Sequence, residues 1–268
     1  MLYGMLILFN MVKKTKNPII IKAAVIAALM ILFLFLGSYT CSKKHDLKCL
    51  GLCFNYPLST YKENDEIKIY NLKDTILIFY YSDYILYRLS ATRIFETGEK
   101  LKGTESYFVY NKKDDFGFLF SSINDSSKGT KYPVDSFLAN RGVKGKDFDI
   151  PIDSLWSLTE KIKVKEEILM EKYSSLKQGD ETTIDSIYYY YSKDMNKIEY
   201  SFSKKLDSIK AMKLFKIRFL YNERTSTANK IILPKRELSF EMIEEVAPNP
   251  QKIIEFIKKF ESNLIKAK

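Results

Sequence analysis

The chain has 268 residues, 46% of them hydrophobic and 14% aromatic, with 43 Lys and Arg against 33 Asp and Glu for a formal net charge of +10. Nineteen Tyr and eighteen Phe beside only ten Gly exclude a disordered or glycine-repeat polymer, because that much aromatic surface has to be buried. Without the four lysines of residues 1–40, 39 basic side chains remain against 33 acidic ones, interleaved along the chain, whereas a nucleic-acid binder concentrates its excess on one stripe, so no nucleic-acid partner is expected.

The first element is apolar. Lys13, Lys14 and Lys16 precede a run from Ile19 to Leu36, interrupted only by Lys22. Fourteen residues from Ala23 to Leu36 carry no charge and no strong hydrogen-bonding side chain, and counting on to Thr40 gives eighteen. Eighteen residues at helical rise reach about 27 Å, between a signal-peptide core and a membrane-spanning helix. Met1–Asn10 puts a second apolar stretch ahead of the lysines, and Met11-Val-Lys-Lys-Thr-Lys reads as a conventional positively charged start.

Gly37-Ser38-Tyr39-Thr40-Cys41 closes the run with a cysteine after small residues. Residues 11–44 resemble a bacterial lipoprotein precursor, although Tyr39 and Thr40 stand where that family has Ala, Gly or Ser. The resemblance implies cleavage before Cys41, lipidation of Cys41, and a place in the cell envelope on the periplasmic or outer-surface side. An uncleaved anchor helix, including one that keeps the domain at the inner face of the membrane, and simple secretion are the other readings. The expected plan is a signal peptide or anchor over 1–40, a tether over 41–65 and a single α+β domain over 66–268, with sub-boundaries near 122–133 or 178–185. Cys49 and Cys53 are a candidate disulfide in an oxidising compartment, though two unpaired thiols fit equally.

Beyond the tether, Glu66–Leu72 alternates apolar and polar residues as a half-buried strand does, and Thr75–Tyr81 is apolar on both faces. Ser82-Asp83 then predicts a turn into Tyr84–Leu89. Glu105–Tyr110 and Phe116–Ser121 flank a polar connection and predict a second hairpin. Val134–Asn140 reads as a short helix. Asp153 is placed to cap a helix carrying Leu155, Trp156, Leu158 and Ile162. Its continuation is divided, because Ile162–Lys165 alternates like a strand while Glu166–Met170 favours helix. Ile187–Tyr191, Leu214–Tyr221 and Leu238–Met242 return to strands, and Pro250 introduces an amphipathic terminal helix carrying Ile253, Ile254, Phe256, Ile257 and Phe260. The fold class is α+β, mainly antiparallel sheet with a few peripheral helices.

No nucleophile elbow, zinc helix, phosphate loop or dinucleotide fingerprint occurs, and His45 is the only histidine. No cofactor or metal is expected. Asp147 and Asp149 share a face of an extended backbone and are candidates for holding a cation or sugar hydroxyl, the basis of an alternative reading as a carboxylate hydrolase. In Tyr188-Tyr189-Tyr190-Tyr191, a strand puts Tyr188 and Tyr190 on one face, where exposed rings could stack on carbohydrate or peptide. Lys210, Lys213, Lys216 and Arg218 form the densest basic stretch. The first expectation is a non-enzymatic module, tethered to the membrane, that binds an envelope protein or polymer through a sheet face or edge.

Overall fold

The computed structural model describes residues 46–61, 67–94, 99–144, 155–176, 183–225 and 232–266. Leu47–Lys268 form one compact unit. Among the described residues no helix is long and apolar enough to cross a membrane. The apolar run of residues 19–36, Cys41, His45, Asp147, Asp149 and Asp153 lie outside the described residues.

The chain enters the sheet at its middle. Strand β1 (Lys48–Tyr61) pairs with β2 (Ile67–Tyr81), and a meander continues through β3 (Tyr84–Ile94), β4 (Lys100–Asn111), β5 (Phe116–Phe120) and β6 (Thr130–Pro133) to one edge. Helix α1 (Val134–Asn140) follows. The chain resumes at the opposite edge with β7 (Trp156–Lys165) and runs inward through β8 (Ile168–Ser175), β9 (Ser186–Ser192), helix α2 (Lys204–Lys210) and β10 (Lys213–Tyr221). After a small hairpin of β11 (Arg224–Thr225) and β12 (Ile232–Leu233), strand β13 (Arg236–Glu245) fills the place between β10 and β1. All eleven strands of the main sheet pair antiparallel with their neighbours. Helix α3 (Pro250–Lys266) ends the chain.

Several expectations hold: the Ser82-Asp83 hairpin, the β4–β5 ladder, α1 over Val134–Asn140, and the terminal helix on the sheet. The two strands read over Glu66–Tyr81 are one, because β1 is long enough to satisfy the backbone of the polar stretch between them: Asn71 pairs with Pro57 and Asp74 with Phe54.

Two expectations are corrected. Much of the expected tether is the central strand of the sheet. In Cys49-Leu50-Gly51-Leu52-Cys53-Phe54 every second residue is large and apolar, and the small Cys and Gly between them disguise a period of two. The helix expected from Leu155 is strand β7, and Glu166-Glu167 is the turn of the β7–β8 hairpin. Leu155, Leu158 and Ile162 recur at intervals of three and four residues, as on one face of a helix, and pairing with β8 overrides that local pattern.

The core is divided between the sheet's two faces. On one, Leu50, Leu52, Ile78, Phe108, Tyr189, Tyr191, Ile217 and Met242 are buried beneath α1, α2 and the segment from Met195 to Phe202. Phe108 stacks on Phe137 of α1 at 4.0 Å. Gly117 permits this contact, since a Cβ there would lie 2.4 Å from the Phe108 ring. On the other face, Ile253, Phe256, Ile257 and Phe260 of α3 pack on Cys49, Phe79, Leu86, Tyr107, Val109 and Phe120. That cluster draws on β1–β5 alone among the strands. Over β8–β10 and much of β13, the α3-side face has no helix packed on it among the described residues.

Candidate functional site

The uncovered part of the α3-side face carries two of the residues singled out from the sequence. In β9, Tyr189 and Tyr191 are buried in the opposite face, while Tyr188 and Tyr190 are half-buried on this one. Register builds their surroundings: Tyr188 lies between Lys172 of β8 and Arg218 of β10, and Tyr190 between Met170 and Lys216. The Lys172 ammonium sits 5.6 Å and the Arg218 guanidinium 5.2 Å from the Tyr188 ring centre, and Lys216 lies 5.9 Å from that of Tyr190. Because these cations come from the strands on both sides of Tyr188, its ring faces are occupied. What it turns outward is an edge and a hydroxyl, a geometry ill suited to stacking on a sugar ring.

The cations are themselves tied down. Arg218 donates a fork to Glu237, Nε to Oε1 at 2.8 Å and Nη2 to Oε2 at 2.6 Å, and its Nη1 donates to the Tyr190 hydroxyl at 3.0 Å. These contacts hold Arg218 above its usual range and the Glu237 carboxyl below its own. Lys216 donates to Glu241 at 2.9 Å. To either side of these pairs the face exposes Ile162 on β7 and Ile243 on β13, at 41% and 39%. Cations already paired, with apolar side chains flanking them, suit a protein surface better than a polyanion.

The densest basic stretch of the sequence is dispersed. Lys216 and Arg218 belong to this face. Lys210 instead donates to Glu171 at 2.7 Å, and Lys213 pairs with Asp207 at 3.0 Å, both around α2. Glu171 is fully buried, accepts from the Tyr173 hydroxyl at 3.0 Å and has Lys161 at 3.6 Å. Sequence reasoning missed it, because reading Glu166–Met170 as helix hides that Glu171 alternates inward beside Tyr173. Asp207 was missed as well. It accepts from Leu214 N at 2.7 Å and Ser201 Oγ at 2.7 Å, while the Ser203 side chain caps α2 by accepting from Leu206 N.

Cys49 and Cys53 are both free. They point to one face of the same strand, four residues and about 13 Å apart, beyond the reach of a disulfide. The candidate pairing is therefore corrected. Burial pushes the Cys49 thiol up to about 11, helped by the charge of Glu245. Burial also raises Cys53, although a hydrogen bond donated by Thr75 Oγ1 opposes it.

Where β1 begins, a cleft of about 310 Å³ is lined by Leu47, Lys48, Leu50, Tyr80, Ile198 and Glu244, among others. Two of its carboxylates are matched, Glu199 by Lys112 at 2.7 Å and Glu244 by Lys197 at 3.2 Å. Among the described residues no three His, Cys, Asp or Glu side chains are grouped to hold a metal ion. No protein-family model, curated protein or solved structure matches the chain.

Proposed function

We propose that this chain is a membrane-tethered cell-envelope protein whose folded domain is a binding module, docking another envelope protein on the uncovered part of its sheet. The observation that supports this reading is the one-sided covering: α3 packs over β1–β5, while Tyr188, Tyr190, Ile162 and Ile243 remain at the surface of the same face. The sheet's edges favour the face over strand addition. Strand β6 has four residues and ends in Pro133, and β7 carries two register shifts with Lys161, Lys163 and Lys165 along it. Short, bulged and lysine-rich edges resist pairing with another chain. The tether reading rests on the apolar run and Cys41.

The test places a photo-crosslinking residue at 190, at 243, or at 258 on the outer side of α3, in the full chain in its native membranes. One common protein adduct from 190 and 243 that is absent from 258 is the expected result. The same pattern at all three positions, or adducts at none, would overturn the docking face. Recovery of the full chain wholly in the aqueous fraction would remove the tether.

A further inference from the structure

We infer that the end of the sheet where β1 begins rests against the bilayer surface, an inference built on the membrane tether proposed above. Cys41 and Leu47, the first residue of the compact unit, are six peptide steps apart. Fully extended, six steps reach about 22 Å, whereas a tether running to residue 65 would reach about 86 Å. Strand β1 alone, with 14 residues, is about 46 Å long. The domain therefore cannot stand off from the membrane by its own length, and the end nearest the anchor is fixed by where the chain enters the sheet. A helix ending near Thr40 gives the same bound to within one residue.

That end presents an uncovered apolar side chain. Cys49 pairs with Glu245, which brings Val246 level with Lys48. Val246 is 92% exposed, an apolar side chain with almost no cover. Three ion pairs close around it, Lys113 with Asp83 at 2.8 Å, Lys112 with Glu199 and Lys197 with Glu244, and the exposed Asp46, Asp114, Asp115 and Glu245 beside Lys48 leave the end acidic. That acidic excess gives the surface no attraction to anionic lipid, so a neutral bilayer is the surface it meets. Holding it in place falls to the tether, and Val246 supplies the short-range contact with the headgroup and acyl boundary.

The test uses the full chain reconstituted in phosphatidylcholine vesicles containing a spin-labelled lipid, with a small fluorescent residue at position 246 or 223. Glu223 is exposed just beyond the far end of β10, about 40 Å away by strand rise. The expected result is quenching several-fold stronger at 246 than at 223 in protein that floats with the vesicles. Inserting about twenty Gly and Ser residues after Ser42 adds about 25 Å of root-mean-square reach and brings the two positions together. Floating protein with equal quenching at both positions overturns the inference and leaves the tether standing. Protein that fails to float overturns both.

Discussion

The two halves of one sheet face are stabilised in different ways. Over β1–β5, α3 lays Ile253, Phe256, Ile257 and Phe260 on apolar side chains, and edge-to-face ring pairs such as Phe120–Phe256 at 5.1 Å fill the contact. Over β8–β10 the same face carries Tyr188, Tyr190, Lys172, Lys216 and Arg218, bound to one another and to Glu237 and Glu241. The first half gains from removing apolar area from water. The second stays wet, and exposed ion pairs contribute little to stability. These strands are held from behind, by Tyr189, Tyr191 and Ile217 in the opposite core and by the ion pair of Glu171 with Lys210.

Substitutions can break or sharpen that contrast. Phe256→Ala removes a buried ring from the covered half and is expected to cost about 4 kcal/mol, read as a lower denaturant midpoint. Glu171→Gln strikes the rear support of the other half. It leaves Lys210, whose side chain is only 17% exposed, without its anion, and a loss of about 3 kcal/mol in urea melts is expected. Gly117→Ala drives a methyl into the Phe108 ring and should cost about 2 kcal/mol, with altered near-ultraviolet dichroism from the displaced aromatic pair.

Cys49 and Cys53 sample both situations on one strand. The Cys49 thiol is raised to about 11 from an ordinary value of 9.0, so its burial stabilises the fold fully below about pH 9. Above that the unfolded chain loses the proton first, and the contribution fades as pH climbs to about 11. Cys49→Ala should therefore flatten the alkaline limb of the stability curve. In native protein at pH 8, iodoacetamide should modify Cys53 before Cys49, read by peptide mass. The smallest effect belongs to the wet half: Arg218→Ala should cost about 1 kcal/mol or less and become neutral in high salt. Glu237 is lowered by Arg218, so that small contribution is present above its ordinary range and disappears as pH falls through its depressed value. A loss from Arg218→Ala as large as that from Phe256→Ala would show that the two halves are not built differently.

Much of the fold was legible in the sequence, wherever alternation was unbroken. Leu214–Tyr221, Leu238–Met242 and the Ser82-Asp83 hairpin all follow from a period of two and a turn pair, and α1 and α3 from helical spacing after proline. The reading failed where small or charged residues masked the pattern. Cys49 and Gly51 made a central strand look like a linker, and the run of acids at 166–167 made a hairpin look like a helix. Of the candidate site, the parity of the tyrosines was legible, and the inward pair Tyr189 and Tyr191 is core. Which cations flank the outward pair was not, because Lys172 and Arg218 lie far from Tyr188 in the chain and reach it only through register.

By itself the sequence determined that residues 23–36 form an uncharged apolar run, that the rest of the chain is rich in half-buried strand, and that its charges are mixed, since these are properties of local composition and period. Only the tertiary structure decided that β1 stands at the centre of the sheet, that α3 covers part of one face, and that Glu171 is buried against Lys210. Those outcomes depend on which strands meet, and strand pairing is chosen by the backbone hydrogen bonds and buried area of distant segments that no local pattern records.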